Sequence, residues 1–158
     1  MKTIIASLAL ALGAPVLMSS PALAQDTLET SSLTIESDGG SHDFTVELAD
    51  EPEEISYGLM NRESLAPDAG MLFDFGNPRE PSMWMKNTLI PLDMLFMTPD
   101  GDVVMIARNT VPGSLRTISP GMPVKAVLEI NGGRAAGLGI EPGDTVIHPV
   151  FGNDDDAE

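Results

Sequence analysis

The sequence predicts an α+β fold, a single compact domain of mostly antiparallel sheet with two short helices. A partial barrel is the curled form of that sheet. Three observations lead there. Apolar residues recur at every second position in several short runs, the period of half-buried strands. The 13 Pro and 15 Gly cut the chain into strand-length pieces. Only two stretches, beginning near Asp50 and Asn131, carry helix-start signals, and both are too short to form a layer of their own.

The elements follow in order. Ser32 to Ser37 and His42 to Leu48 alternate around the turn Asp38-Gly39-Gly40-Ser41 and predict a hairpin, with Phe44, Val46 and Leu48 on one face. Asp50-Glu51-Pro52-Glu53 predicts a helix start: Asp50 caps, Pro52 sits where no amide hydrogen is needed, and Glu53 closes a capping box. Ile55 and Leu59 then face the core one turn apart, and the helix ends near Asn61-Arg62. Met71, Phe73 and Phe75 share one face of a strand, and Met83-Trp84-Met85 is a second extended piece. Leu92 to Met97 is apolar on both faces except at Asp93, as a central strand would be. Thr98-Pro99-Asp100-Gly101 turns the chain into the returning strand Val103 to Ala107. Val124 to Ile130 is another strand, Asn131 caps a short helix through Ala136, Glu141-Pro142-Gly143-Asp144 is a type II turn, and Thr145 to His148 closes the fold.

Residues 1–24 read as a secretory signal peptide: Lys2, an apolar run from Ile4 to Met18, and the cleavage pattern Ala22-Leu23-Ala24. The expected organisation is a signal peptide at 1–24, a flexible N-terminus at 25–31, one domain at 32–150 and an acidic tail at 151–158. The expected location is the periplasm or beyond, with no membrane span after cleavage. The chain has 24 acidic and 8 basic residues, a net charge of −16 and a pI near 4.1. Such a chain has no basic footprint for nucleic acid. With no cysteine it has no disulfides, no thiolate zinc site and no cysteine nucleophile. With only His42 and His148, a histidine metal site is not expected, and no cofactor is implied.

Three constellations could carry chemistry. Asp93 and Glu129 each interrupt an apolar strand. A carboxyl buried there needs a cation or amide donors, or its pKa rises toward the range of a general acid or base. The structural alternative has Asp93 holding backbone amides around Pro91 while Glu129 pairs with Arg62 or Lys86. Asn131-Gly132-Gly133-Arg134 is either an anion cradle of bare amides beside an arginine or a tight turn where glycines let backbones pass. Met60, Met71, Met83, Met85, Met94, Met97, Met105 and Met122 are either thioether ligands for Cu(I) or core filler.

Six blocks stand in order: Gly58-Leu59-Met60-Asn61-Arg62, Gly70-Met71-Leu72-Phe73, Trp84-Met85-Lys86-Asn87-Thr88, Pro91-Leu92-Asp93, Val127-Leu128-Glu129 and Gly143-Asp144-Thr145-Val146. Together they closely resemble the domain-of-unknown-function 192 family over about residues 32–149. The resemblance implies a small, often exported single-domain protein with a mixed, sheet-rich fold, and it implies no activity. Met83 stands where the family tends to carry a bulky apolar, often aromatic residue, which favours packing over copper there. The blocks direct attention to Arg62, Lys86, Asn87, Thr88, Asp93 and Glu129 as one polar cluster walled by Trp84. The expected function is a small-ligand binding or accessory module, with Gly132, Gly133 and Arg134 as a further anion contact. A sugar, a carboxylate or an envelope fragment would suit it. The alternatives are a hydrolase or lyase using Asp93 and Glu129 as acid and base, and a methionine-based Cu(I) handler.

Overall fold

The computed structural model describes residues 28–154. The signal peptide read at 1–24, the next three residues and tail residues 155–158 lie outside them. Seven strands, β1 (Thr30–Ser37), β2 (Gly40–Ala49), β3 (Ala69–Arg79), β4 (Leu92–Met97), β5 (Val103–Ala107), β6 (Val124–Asn131) and β7 (Thr145–Ile147), form one sheet. Their order is β5-β4-β6-β3-β2-β1-β7. Every pairing is antiparallel except β2 with β3. Helices α1 (Pro52–Tyr57) and α2 (Arg134–Leu138) have six and five residues. The molecule is therefore mostly β, and the α+β expectation fits only loosely.

The sheet curls into a half-barrel whose edges are stitched at one end. Thr145 bridges Asp102 just ahead of β5, Val103 N–H donates to the Asp144 carbonyl at 2.8 Å, and Val146 N–H donates to the Gly101 carbonyl at 2.9 Å. Gly101 has φ +91°, and a Cβ there would lie 2.4 Å from the Val146 carbonyl oxygen. Only glycine allows that approach.

Alternation puts side chains on two sides of the curl. Leu33, Ile35, Phe44, Leu72, Leu95 and Leu128 pack inside it, and Met71, Phe73, Met94, Phe96 and Val127 pack outside it under the long connections. Strand β4 is buried on both faces along its whole length, as its nearly unbroken apolar run predicts. Each such Leu or Phe contributes roughly 1.5–3 kcal/mol relative to exposure. The β1–β2 and β4–β5 hairpins form as the sequence predicts. β1 begins at Thr30, inside the stretch expected to be flexible, and the Glu29 carbonyl accepts from Leu48 N–H at 2.9 Å.

Both helix boundaries differ from expectation. α1 is capped at Glu51, and Glu54, not Glu53, completes the capping box. It ends at Tyr57 because Gly58 adopts φ +52° and breaks the helical run. The absent side chain at Gly58 also admits Phe73, whose ring atoms would lie 3.1 and 3.2 Å from a Cβ. α2 starts after Gly133, not Asn131. The Asn131 amide instead donates to the Leu65 and Ala66 carbonyls at 3.1 and 2.9 Å, pinning the connection before β3.

Candidate functional site

Asp93 and Glu129 look alike in the sequence and differ completely in the fold. Asp93 pairs with Ile130, and Glu129 pairs with Met94 on β4 and Met71 on β3. The pleat therefore sends Asp93 to the face of Ile130 and Leu95, and Glu129 to the opposite face. They do not share a cleft.

Asp93 is fully buried and fully satisfied. One oxygen accepts from Asn109 N–H at 2.7 Å and Gly133 N–H at 3.0 Å, and the other accepts from Ala135 N–H at 2.9 Å. It anchors the connection after β5 and the start of α2. It holds amides, as the structural alternative supposed, but those of residues 109, 133 and 135. The anion cradle is closed by the same bonds: Gly132 N–H donates to the Pro91 carbonyl at 2.9 Å, Gly133 N–H is held by Asp93, and Arg134 pairs with Asp68. A Cβ at Gly132 would lie 2.9 Å from Pro91 Cβ and 3.0 Å from Asn109 Oδ1, so the glycine serves a close approach.

Glu129 is 4% exposed, and no hydrogen bond or ion pair reaches its carboxyl among the described residues. The cation expected for it is elsewhere: Arg62 forms a two-pronged pair with Glu47, one contact at 2.6 Å. Burial alone pushes the Glu129 carboxyl up from 4.5 to about 8. At pH 7 it is a neutral acid, able to donate a hydrogen bond or release a proton.

That carboxyl sits in a cleft of about 410 Å³ on the outer face of β3 and β6, within the size range of small-molecule sites. One wall is α1 with the turn after it, contributing Tyr57, Leu59 and Met60; the other is the segment from Arg79 to Trp84. Phe73, Phe75 and Thr88 complete it. Two left-handed asparagines tie the turn after α1 to the segment after Trp84. Asn61 (φ +62°) donates its N–H to the carbonyl of Asn87 (φ +54°) at 2.8 Å, and its side-chain amide donates to the Tyr57 hydroxyl at 3.2 Å. A more open depression of about 520 Å³ adjoins the cleft, shares Ser56, Tyr57, Met60 and Trp84 with it, and adds Lys86 and Asn87. Trp84 is 47% exposed, with Lys86 Nζ 5.2 Å from its ring centroid.

Of the residues singled out from the sequence, Trp84, Lys86, Asn87, Thr88 and Glu129 come together here, while Arg62, Asp93, Gly132, Gly133 and Arg134 serve the scaffold. Sequence reasoning missed Tyr57, Phe75 and Arg79. The signal for Tyr57 was its rarity: this is a chain with one Tyr and one Trp, and both line the cleft. The methionines divide. Met71, Met85, Met94 and Met97 are buried in the core, and the Met85 sulfur accepts the Thr110 hydroxyl at 3.1 Å. Met60 and Met83 face the cleft. The Met83-Trp84-Met85 piece is not a strand; Met83 makes one isolated bridge, to Ile118.

Comparison with known proteins places this architecture. The DUF192 family model, described as "Uncharacterized ACR", matches residues 33–148. No curated protein matches the chain. A crystal structure of a candidate transcription regulator from Sinorhizobium meliloti 1021 is similar, with 45% identity over 78% of this chain and 97% of that one, at a TM-score of 0.77. A protein of unknown function from Novosphingobium aromaticivorans DSM 12444 is similar at 41% identity, covering 83% and 94% of the two chains, also at a TM-score of 0.77. Among the described residues no helix is long and apolar enough to cross a membrane.

Proposed function

The chain belongs to the DUF192 family, and from that premise we propose that it is an exported small-ligand binding protein whose site is the cleft over Glu129. The observation that carries this reading is the unpartnered, buried carboxyl at the floor of an aromatic-walled cleft. Burying such a group without a partner costs free energy. The other buried acid of the sheet, Asp93, is satisfied by three amides. A group without partners among the described residues, and reaching a cleft, is a candidate contact for a bound molecule.

A catalytic role draws less support. The Asp93–Glu129 acid–base pair would need both carboxyls open to one cleft, and Asp93 lies on the other face of the sheet. Copper handling draws less still, because four of the methionines are buried core. Export rests on the N-terminal pattern alone. Intact-mass analysis of protein made in a Gram-negative host should give a mature N-terminus at Gln25, and a secreted species that retains residues 1–24 would overturn it.

The binding reading is tested by ligand-observed NMR with a library of small aromatic, cationic, anionic and sugar compounds at pH 7. Hits should cluster on the cleft, with shift changes at the Trp84 indole and loss of binding in Trp84→Ala. A library that yields no hit sensitive to Trp84→Ala or Glu129→Gln would remove the cleft as a binding site.

A further inference from the structure

We propose that the cleft takes an organic ammonium cation, with aromatic side chains as its wall and the Glu129 carboxylate as its counter-ion. This rests on the cleft being the ligand site and names the chemical class of the ligand.

Aromatic residues are scarce in this chain, and the cleft gathers them. Of its 5 Phe, 1 Tyr and 1 Trp, two Phe and both of the others line this one cavity. Core packing does not require Tyr57 and Trp84 there, since they are 43% and 47% exposed. The face of an aromatic ring attracts cations, and two of these rings already hold cations of the protein. The Arg79 guanidinium lies 4.4 Å from the Phe75 centroid, and Lys86 lies over Trp84. Aromatic walls around a quaternary or primary ammonium are a common way to bind such groups in water, where direct hydrogen bonding contributes little.

The floor completes the site. A lone carboxylate in an apolar surround is costly, and a cation brought by the ligand supplies what the fold omits. The charged and titratable groups around it are few. Tyr57 comes from the α1 wall, Arg79 and Glu80 from the opposite wall, Glu53 and Lys86 from the adjoining depression, and the sheet neighbours on its face are the uncharged Met71 and Met94. Arg79 is exposed at the rim over Phe75 and makes no ion pair among the described residues. An anionic ligand would face Glu80 and a chain of net charge −16, while the same field concentrates cations.

Binding then has a proton balance. Below about pH 8 the carboxyl is mostly protonated. Pairing with an ammonium ionises it, so up to one proton passes to the buffer for each cation bound.

The test is calorimetry at pH 7 with choline, benzyltrimethylammonium and phenethylammonium, each against its uncharged carbon isostere; 3,3-dimethylbutan-1-ol stands against choline. Phosphate and Tris buffers, which differ in ionisation enthalpy, report proton release. At least one cation should bind ten-fold or more tightly than its isostere, with net proton release. Glu129→Gln should remove both the preference and the proton release while the protein stays folded. Trp84→Ala should weaken the cation at least five-fold. If no cation binds, if isosteres bind equally, or if Glu129→Gln leaves the preference intact, the inference fails. Neutral or anionic hits that still map to Trp84 would then leave the cleft standing as a site for another class. No Trp84-sensitive hit of any class would remove both readings.

Discussion

Glu129→Gln should make the protein more stable at alkaline pH and remove a defined part of its pH dependence. The carboxyl titrates near 4.5 when unfolded and near 8 in the fold. Its folded-state pKa is raised, so the folded chain binds the proton more tightly than the unfolded chain does. Between those two values the unfolded state has lost its proton and the folded state has kept it. Stability therefore falls as pH rises through the window. Each pKa unit corresponds to about 1.4 kcal/mol, so the whole interval amounts to on the order of 5 kcal/mol as an upper bound. Glutamine has nearly the same shape and never ionises. The difference in unfolding free energy, wild type minus Glu129→Gln, should therefore drop by several kcal/mol between pH 5 and pH 9. The other carboxylates are common to both proteins and cancel. Urea denaturation at five pH values and fixed ionic strength measures it. A difference that is flat with pH, or that rises, would refute the claim that Glu129 is buried without a partner.

Three further outcomes are expected. Asp93→Asn should cost about 2–4 kcal/mol at pH 7 by urea denaturation, because an amide nitrogen then faces a backbone N–H that Asp93 had satisfied; a cost below 1 kcal/mol would deny the anchor. Gly132→Ala should destabilise by about 1–3 kcal/mol through overpacking against Pro91 and Asn109, read as a lower midpoint with an unchanged urea slope, and an unaltered midpoint would count against the close approach. Raising sodium chloride from millimolar to molar should raise the melting temperature by screening the self-repulsion of a chain of net charge −16, with potassium chloride as the control and a flat or falling curve as the contrary result.

The parts of the fold legible in the sequence are those set by neighbouring residues. The β1–β2 and β4–β5 hairpins follow from alternation broken by turn residues, and the shared face of Met71 and Phe73 follows from a period of two. The parts that were not legible depend on distant partners. Nothing local says that β2 pairs in parallel with β3, or that β6 enters between β3 and β4. The same limit governs the site. Asp93 and Glu129 are each one acid in an apolar strand, and strand pairing alone sends them to opposite faces. Asp93 then meets amides 16, 40 and 42 residues further along the chain, while among the described residues no donor arrives at Glu129. Polarity within strands singled out both residues; the difference in their surroundings is a property of long-range register.

The place of β6 has a consequence for how the chain comes together. Residues 124–131 lie between β3 and β4 in the sheet, so the β1–β2–β3 group and the β4–β5 hairpin share no ladder until most of the polypeptide exists. Any shorter nascent fragment presents two unpaired, apolar strand borders, and contacts of such long sequence separation form slowly. A chain built this way cannot complete its sheet until nearly its whole length has emerged. That delay makes truncations before residue 124 prone to aggregate.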